Sequence, residues 1–281
     1  MIVEAPAKLN LCLYVGATRP GGLHEICSIF QPLDLTDRLT VTAGDGADEV
    51  RCPGISGPEL AGEALGRLRE AGWDEPPLLI EIEKRIPVAA GLGGGSADAA
   101  AVLGLARDSL PGDTLRSIAI ELGADVVSQL PPRRMLVSGS GEIGTPLPEP
   151  PDYGVVLVPF DRGLSAGEVY GELDRLGGHR DAAAMDQARE RLAMAAAAGA
   201  SPLEYGELLV NDLQPAAVSL MPEVDEAIEA LRLEGAQVAL VTGSGPTVFG
   251  LFRTRADAED AARRLAPRYE AIVASPRKED T

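Results

Sequence analysis

The chain has 281 residues, of which 45% are hydrophobic and 24% charged, and its formal net charge at pH 7 is −18. A chain of this length and apolar content can bury a core and hold one large or two moderate domains. The negative charge disfavours nucleic acid and anionic membranes, so we expect neither as a partner. The chain has no apolar run near the ~20 residues that cross a bilayer, and no basic leader pattern, so the expected location is the cytoplasm.

The first predicted element is a strand near the N-terminus. Apolar residues alternate with Lys8, Asn10 and their neighbours from Leu9 to Val15, a period of two that is typical of a half-buried strand. Lys8 and Asn10 therefore lie on one face, where both side chains can reach one ligand.

The rest of the chain mixes strand and helix patterns. Strands are predicted at residues 38–43, 78–83, 153–159, 237–242, 247–252 and 270–274. Helices are predicted at 58–71, 96–109, 114–122, 165–176, 182–198, 223–233 and 256–265. This mixture predicts an α+β fold rather than a regular βαβ winding. The proline-rich segment 146–151 predicts a domain boundary, which gives domains at 1–150 and 151–281.

Cysteine and lysine are both scarce. The cysteines Cys12, Cys27 and Cys52 are odd in number and lack C-x-x-C spacing, so neither a disulfide framework nor a zinc site is predicted. Lysine occurs only at Lys8, Lys84 and Lys278, whereas arginine is used elsewhere. These lysines can mark places that need a compact point charge, and accident is the alternative.

A glycine-rich loop comes before the helix predicted at 96–109. Gly91, Gly93, Gly94 and Gly95 have no Cβ, so they can take positive φ angles and let amide groups approach an anion. Ser96 is predicted to lie at or near the N-cap, which directs the unpaired amides and the positive end of the helix dipole into the loop. The loop thus predicts a phosphate site; a plain turn is the alternative, but a turn needs only one or two glycines. It matches neither the Walker A motif nor G-x-G-x-x-G.

The loop at 86–100 resembles the ATP-binding motif of the GHMP kinases, the family of galactokinase, homoserine kinase and mevalonate kinase. Pro-Ala-Lys-Leu-Asn-Leu at 6–11 and Thr-Gly-Ser-Gly-Pro-Thr-Val-Phe at 242–249 resemble two further motifs of the family. The resemblance implies a two-lobed fold, with an N-terminal β-rich/α lobe and a C-terminal α/β lobe. It also implies an ATP-dependent kinase for a small alcohol, with Mg²⁺ as companion of ATP, acting as a monomer or weak homodimer.

The resemblance implies roles for individual residues. Asp125 corresponds to the catalytic base and Lys8 to the cation that steadies the developing negative charge; an N-cap or turn aspartate and a strand-end lysine are the alternatives. Asp125 follows a helix stop at Gly123, which predicts an exposed turn. Ser96 and Asp98 are candidate Mg²⁺ ligands, although an acidic residue in a first helical turn is also favoured by the dipole. The implied ATP-binding residues are Pro87, Val88, Ala89, Ala90, Gly91, Leu92, Gly93, Gly94, Gly95, Ser96 and Ala97.

The implied acceptor is a cytidine diphosphate-linked polyol of isoprenoid precursor synthesis. His24 is expected to hydrogen-bond the cytosine, and Tyr170 to stack on a base. Tyr170 could equally be a core residue of its helix, and the turn with Gly243 and Ser244 could be a plain hairpin. The implied substrate-binding residues are Asn10, His24, Tyr170, Gly243 and Ser244.

Three departures from the family pattern keep other functions open. Leu23 stands where the family commonly has tyrosine, Ala97 where a second serine is usual, and residues 126–134 replace a Val-Pro-Phe and double-glycine segment. One alternative is a GHMP kinase for a smaller alcohol such as homoserine or a polyol. The other is a non-catalytic relative that binds nucleotide.

Overall fold

The computed structural model describes residues 1–54 and 60–278. Two compact units make up the chain, and each is assembled from separate segments. The first contains Met1–Ala7, Leu35–Val88 and Gly93–Arg133, and the second contains Lys8–Asp34, Ala89–Leu92 and Arg134–Thr281. The predicted α+β class is confirmed. The linear division at residue 150 stays a prediction about domains. Within the described ranges, no helix has the length and apolar character that a membrane span requires.

Strands and helices alternate irregularly along the chain. The strands are β1 (Ile2–Asn10), β2 (Tyr14–Thr18), β3 (His24–Ala43), β4 (Glu49–Arg51), β5 (Leu78–Glu83), β6 (Met135–Ser138), β7 (Ile143–Pro146), β8 (Gly154–Val158), β9 (Val238–Val241), β10 (Val248–Phe252) and β11 (Ile272–Ala274). The helices are α1 (Leu60–Glu70), α2 (Gly94–Gly104), α3 (Gly112–Leu122), α4 (Ala124–Ser128), α5 (Ala166–Leu176), α6 (Ala182–Ala196), a 3₁₀ helix (Pro202–Leu208), α7 (Gln214–Leu220), α8 (Glu223–Leu233) and α9 (Arg255–Leu265).

The first unit packs helices and strands around one apolar core. β5 pairs in antiparallel fashion with the end of β3 and in parallel fashion with β4. Leu68 of α1, Ile80 of β5 and Leu103 of α2 are buried in this core together with Trp73. Burial of apolar side chains is the main stabilising contribution, and here it fixes the position of α2, the helix that follows the glycine loop.

The second unit contains a four-stranded antiparallel sheet in the order β11-β8-β10-β9. Helices α7, α8 and α9 pack against it. The beginning of β3 pairs with β2 and β6, and β6 pairs with β7. Because β9 and β10 are antiparallel neighbours, the glycine-containing residues between them form a hairpin connection, as the plainer interpretation of that segment predicts.

The strand predicted through Val15 is interrupted. β1 ends at Asn10 and β2 begins at Tyr14. The amide of Leu11 donates to Ile29 O at 2.9 Å, whereas the amide of Leu13 donates to Val210 O at 2.7 Å. The chain therefore changes its hydrogen-bonding partner between these residues, although the apolar side chains stay buried throughout and keep the sequence pattern unbroken.

The helix predicted at 96–109 begins and ends earlier. α2 starts at Gly94 and its N-cap is Gly93, with φ +69°, so Ser96 lies near the N-cap, as the third residue of the helix, and is not the cap itself. Only Gly91 and Gly93 of the four loop glycines have positive φ, because Gly94 and Gly95 already belong to the helix. The left-handed glycine turns the chain into the helix before the serine is reached.

The predicted exposed turn at Asp125 is also wrong. Asp125 is half-buried in the first turn of α4, which begins directly after α3. Gly123 separates the two helices with φ 150° and ψ 156°, a conformation that is essentially restricted to glycine. The helix predicted at 58–71 starts outside the described residues, since Pro58 is not among them; α1 is described from Leu60. The short elements β2, β4, β6, β7, α4, α7 and the 3₁₀ helix are not predicted by the sequence patterns.

Candidate active site

Lys8 and Asn10 lie at the end of β1 with their side chains together, as predicted. Lys8 Nζ donates to Asn10 Oδ1 at 2.6 Å, and Asn10 Nδ2 donates to Ser28 Oγ at 2.9 Å. Lys8 is only 5% exposed, and its ammonium lies 4.7 Å from the centre of the Phe30 ring. A buried ammonium needs such partners to offset its lost hydration. The arrangement holds a positive charge in a fixed place.

Two glycine-containing turns of the second unit meet this strand end. The amide of Lys8 donates to Leu92 O at 2.9 Å, and the amide of Asn10 donates to Thr242 Oγ1 at 3.0 Å. The first contact attaches the residues 89–92 of the glycine loop to β1. The second attaches the hairpin between β9 and β10. Three segments that are far apart in the sequence are thus joined by backbone amides.

The glycines at this junction allow a close approach that a side chain would block. A Cβ atom on Gly91, where φ is +75°, would lie 2.9 Å from Thr242 O. A Cβ atom on Gly243, where φ is +58°, would lie 3.3 Å from Asn10 Oδ1 and 3.9 Å from Lys8 Nζ. Both positions therefore need glycine for space as well as for conformation. Gly243 is placed beside the ammonium, whereas Ser244 is a half-buried residue of the same hairpin.

Asn211 holds the hairpin and is not among the site residues that the sequence predicts. Its Nδ2 donates to Val241 O at 2.7 Å and to Gly243 O at 2.8 Å, and its Oδ1 accepts from the Leu213 amide at 2.9 Å. The residue is buried, and an unpaired amide there would be costly. The sequence signals for this residue are the step from the apolar pair at 209–210 to a polar side chain and the resemblance of residues 211–213 to the family pattern; neither predicts its bonds to the hairpin.

The first unit contains the start of α2. No side chain caps this helix, and its first hydrogen bond runs from the Ala97 amide to Gly93 O at 2.8 Å. The amides of residues 94–96 are therefore left for a ligand, at the positive end of the helix dipole. A Cβ atom on Gly94 would lie 3.1 Å from Ile86 Cγ2, whereas one on Gly95 meets no atom of the described residues closer than Leu60 Cδ1 at 4.0 Å. This geometry suits an anion.

Lys84 is bound by two buried carboxylates at the base of α2. Its ammonium contacts Asp37 and lies 2.7 Å from Asp98 Oδ2, and Asp37 Oδ1 also accepts from the Ile86 amide at 2.8 Å. Burial raises the pKa of Asp98 against the opposing effect of Lys84. Burial lowers the pKa of Lys84, but its two ion pairs outweigh this and raise it. The charge of Lys84 is therefore balanced within the protein, so this lysine does not supply the point charge for a phosphate.

The two candidate Mg²⁺ ligands, Ser96 and Asp98, both belong to the first part of α2. Asp98 Oδ1 is buried and has no hydrogen-bond partner among the residues that the structure describes, which fits a carboxylate oxygen that is kept for a cation. Ser96 is half-buried in the first turn of α2, and Asp98, two residues later, lies just beyond the first turn. In residues 1–54 and 60–278 no group of three or more His, Cys, Asp and Glu side chains is arranged to hold a metal. The chain's own residues thus fit a metal that takes most of its ligands from phosphate and water.

Asp125 is positioned by the helix that carries it. Val126 and Val127, which follow it in α4, are buried in the core of the first unit. Gln129, at the end of α4, donates from Nε2 to Gly93 O at 3.1 Å. The glycine that starts α2 is therefore tied directly to the helix of Asp125.

His24 and Tyr170 are brought together in the second unit. Their rings stack with centres 5.0 Å apart and an angle of 22° between the planes. Tyr170 is half-buried and also packs against the apolar core, so both interpretations of this residue hold in part. Leu23 beside His24 is 61% exposed. His179 is exposed in a loop.

Comparison with known proteins identifies the class. Residues 59–130 match the family model "GHMP kinases N terminal domain", and residues 189–271 match "GHMP kinases C terminal". The chain belongs to the GHMP kinase family, and it is an ATP-dependent small-molecule kinase. This confirms the resemblance found in the motifs.

Individual relatives narrow the class. The 4-diphosphocytidyl-2-C-methyl-D-erythritol kinase of Desulfitobacterium hafniense (strain Y51) is 39% identical over 266 residues, which cover 92% of this chain and 89% of the relative. The kinase of the same name from Anaeromyxobacter sp. (strain Fw109-5) is 42% identical over 273 residues, with 93% and 85% covered. A crystal structure of 4-(cytidine 5'-diphospho)-2C-methyl-D-erythritol kinase is 33% identical, with a TM-score of 0.81 over 98% of both chains. Homoserine kinase from Cytophaga hutchinsonii shares the fold, with a TM-score of 0.72 at 18% identity over 99% of this chain and 94% of its own.

Proposed function

We propose that the chain transfers the γ-phosphoryl group of ATP to the 2-hydroxyl of 4-diphosphocytidyl-2-C-methyl-D-erythritol, in non-mevalonate synthesis of isoprenoid precursors. Relatives of that name, 37% to 42% identical over most of the chain, support this acceptor. The observation that carries the proposal is the buried Lys8–Asn10 pair, enclosed by the turns of Gly91 and Gly243. The strongly negative chain needs such a local positive site to receive an anionic substrate.

Phosphoryl transfer depends on position and electrostatics more than on covalent chemistry by the protein. The free amides at the start of α2 would bind phosphate oxygens of the donor. Mg²⁺ would be held by Asp98 Oδ1 and Ser96, and when bound it supplies charge neutralisation for the phosphate oxygens. Asn10 would orient the acceptor, because its side chain is fixed on both sides by Lys8 and Ser28.

The transfer requires one residue that accepts the proton of the acceptor hydroxyl and one that stabilises the developing negative charge. Asp125 would accept the proton of the acceptor hydroxyl. Lys8 would stabilise the negative charge on the group in transfer. Both roles are those that the family pattern gives to the positions matching Asp125 and Lys8.

Replacement of Asp125 tests the proposal. We expect Asp125→Asn to lower turnover of the cytidine-bearing acceptor on the order of 10²-fold or more, as for loss of a general base, while ATP still binds. Asp113→Asn, which changes an exposed acidic residue in the first turn of α3, is the matched control and should keep full turnover. Calorimetry measures the affinity for ATP, and steady-state kinetics measure turnover. Near wild-type turnover of Asp125→Asn would show that another group takes the proton.

A smaller alcohol is the second candidate acceptor. It is favoured by the exposed Leu23, which offers no aromatic ring for a base. Turnover of ATP with the cytidine-bearing acceptor, homoserine and simple polyols separates the two kinase functions, and absence of turnover with all of them would indicate a non-catalytic nucleotide-binding relative. The charge of −18 also supports our proposal of a cytoplasmic monomer or weak homodimer without nucleic-acid or membrane partners.

A further inference from the structure

His24 is held from two sides by residues of one helix. The Tyr170 ring stacks on the imidazole, and Asp174 Oδ1 lies 2.9 Å from His24 Nε2. Tyr170 and Asp174 are four residues apart in α5, so they lie on the same helical face. The imidazole side chain is 8% exposed and the carboxylate 51% exposed. The helix therefore places a ring and a charge against one nearly buried histidine.

The carboxylate determines where the hydrogen of the imidazole lies. A neutral imidazole has one N–H, and an ionised carboxylate can only accept a hydrogen bond. The hydrogen therefore belongs on Nε2, next to Asp174. A second oxygen, Thr18 Oγ1, lies 3.3 Å from the same nitrogen. The other nitrogen, Nδ1, makes no hydrogen bond within the described part of the chain and keeps its lone pair.

We propose that Asp174 is a positioning residue that fixes His24 in the Nε2–H tautomer and thereby selects cytosine over uracil. The proposal rests on the cytidine-bearing acceptor proposed above. Cytosine presents an amine donor at its 4-position, whereas uracil presents a carbonyl acceptor there, as thymine does. An Nδ1 lone pair can accept from the amine, but opposite the carbonyl it leaves two acceptors unpaired. A site built for a hydrogen bond rejects a ligand that cannot make it.

The stacked pair also limits how a base can approach. With ring centres 5.0 Å apart, His24 and Tyr170 are in contact, and a base between them would need about 3.5 Å on each face. The base is therefore not inserted between the two rings. The edge of His24 that bears Nδ1 is therefore the part of the pair that forms the hydrogen bond to the base.

The test compares three variants with the wild-type protein. Asp174→Ala removes the acceptor for Nε2–H, and Asp174→Asn can restore it through the amide oxygen. Asp260→Asn is the matched control, because this carboxylate is 55% exposed and pairs with Arg263 on a remote helix. His179 is the only other histidine of the chain, so a His179→Gln background leaves one imidazole for ¹⁵N NMR. Spectra are recorded at about pH 8.5, where an ordinary imidazole is neutral.

We expect the Nε2–H signature of His24 in the wild type and in Asp260→Asn, and a mixture of tautomers in Asp174→Ala. For Asp174→Ala, KM for the cytidine-bearing acceptor should rise on the order of tenfold with little change in kcat, as for one lost hydrogen bond. The ratio of kcat/KM between the cytidine acceptor and its uridine analogue should fall by a similar factor. Asp174→Asn should recover most of the tautomer preference and of the ratio.

The contrary results are distinct. An unchanged tautomer in Asp174→Ala would overturn the positioning role of Asp174. If the tautomer changes but the ratio of kcat/KM between the cytidine acceptor and its uridine analogue does not, Nδ1 does not select the base. If the wild-type protein phosphorylates a small alcohol and not the cytidine-bearing acceptor, the proposed function itself fails, and the base-reading role is overturned with it.

Discussion

Asn211 donates to Gly243 O at 2.8 Å and thereby fixes the turn that approaches the ammonium of Lys8. The second hydrogen of the same amide is bound by Val241 O, and its oxygen by the Leu213 amide. Every hydrogen-bonding group of this buried side chain is thus satisfied by backbone. A side chain that is bound entirely by backbone therefore determines the geometry of the hairpin next to Asn10.

Asn211→Asp should damage both stability and catalysis. The change removes two donors and places a carboxylate against two carbonyl oxygens, which we expect to lower the free energy of unfolding by about 1 to 3 kcal/mol. Turnover should fall at least about tenfold, because the glycine turn is released. Urea unfolding and steady-state kinetics measure the two effects. Gln187→Glu, the same amide-to-acid change on the exposed face of α6, should alter neither; full activity of Asn211→Asp would rule out the positioning role.

Gly91→Ala and Gly95→Ala should behave oppositely although both lie in the glycine-rich segment. At Gly91 the methyl group would lie 2.9 Å from a backbone oxygen at a φ of +75°, so we expect a loss of about 1 to 3 kcal/mol in stability and of most ATP turnover. At Gly95 the nearest atom in the described part of the chain is 4.0 Å away and the residue is helical, so alanine should be tolerated. Thermal unfolding of both variants measures the difference in stability between them. Equal tolerance would mean that the junction with Thr242 is not tight.

Asp98 should give the protein a characteristic pH dependence. Its raised pKa means that the folded state binds the proton more strongly than the unfolded chain does, so its contribution to stability is lost as pH rises. The window runs from the ordinary aspartate pKa of about 4 to the raised value of about 7. Across it, the free energy of unfolding of the wild type should fall relative to Asp98→Asn by on the order of 4 kcal/mol, since one pKa unit corresponds to about 1.4 kcal/mol. Urea titrations at several pH values test this, with exposed Asp108→Asn as control; parallel curves for wild type and Asp98→Asn would be inconsistent with it.

Leu23→Tyr should strengthen the binding of a cytidine-bearing acceptor. A ring at this exposed position can stack on the base, which is worth up to about 1 to 3 kcal/mol, and turnover should change much less. Isothermal titration with the acceptor, and with a version that lacks the base, measures the gain. Leu233→Tyr makes the same replacement at a remote exposed site of α8 and should bind as the wild type does. An equal gain for the base-free version would argue against a base beside Leu23.

Local patterns predicted the parts of the site that depend on local order. The period of two placed Lys8 and Asn10 on one face, and β5 and α8 have the predicted bounds, because turn residues and periodicity agree there. The predicted start of α2 was wrong because the N-cap is Gly93 in a left-handed conformation and not a serine. Contacts across long separations were not predictable: Asn211 binds a turn about 30 residues away, and Asp174 meets a histidine 150 residues earlier. A single sequence, considered without its three-dimensional structure, contains no signal for contacts between residues so far apart.

The burial of Cys12 and Cys27 makes these two thiols resistant to thiol reagents in the folded protein, whereas Cys52 is half-buried. Burial raises the pKa of both thiols, that of Cys27 to about 11, so the reactive thiolate is scarce at neutral pH. Cys12 O also accepts a hydrogen bond from Ser28 Oγ at 2.6 Å, and Ser28 in turn contacts Asn10. Alkylation of Cys12 therefore requires the strands beside Lys8 to separate. Its rate would report how often this region opens in solution, without any introduced label.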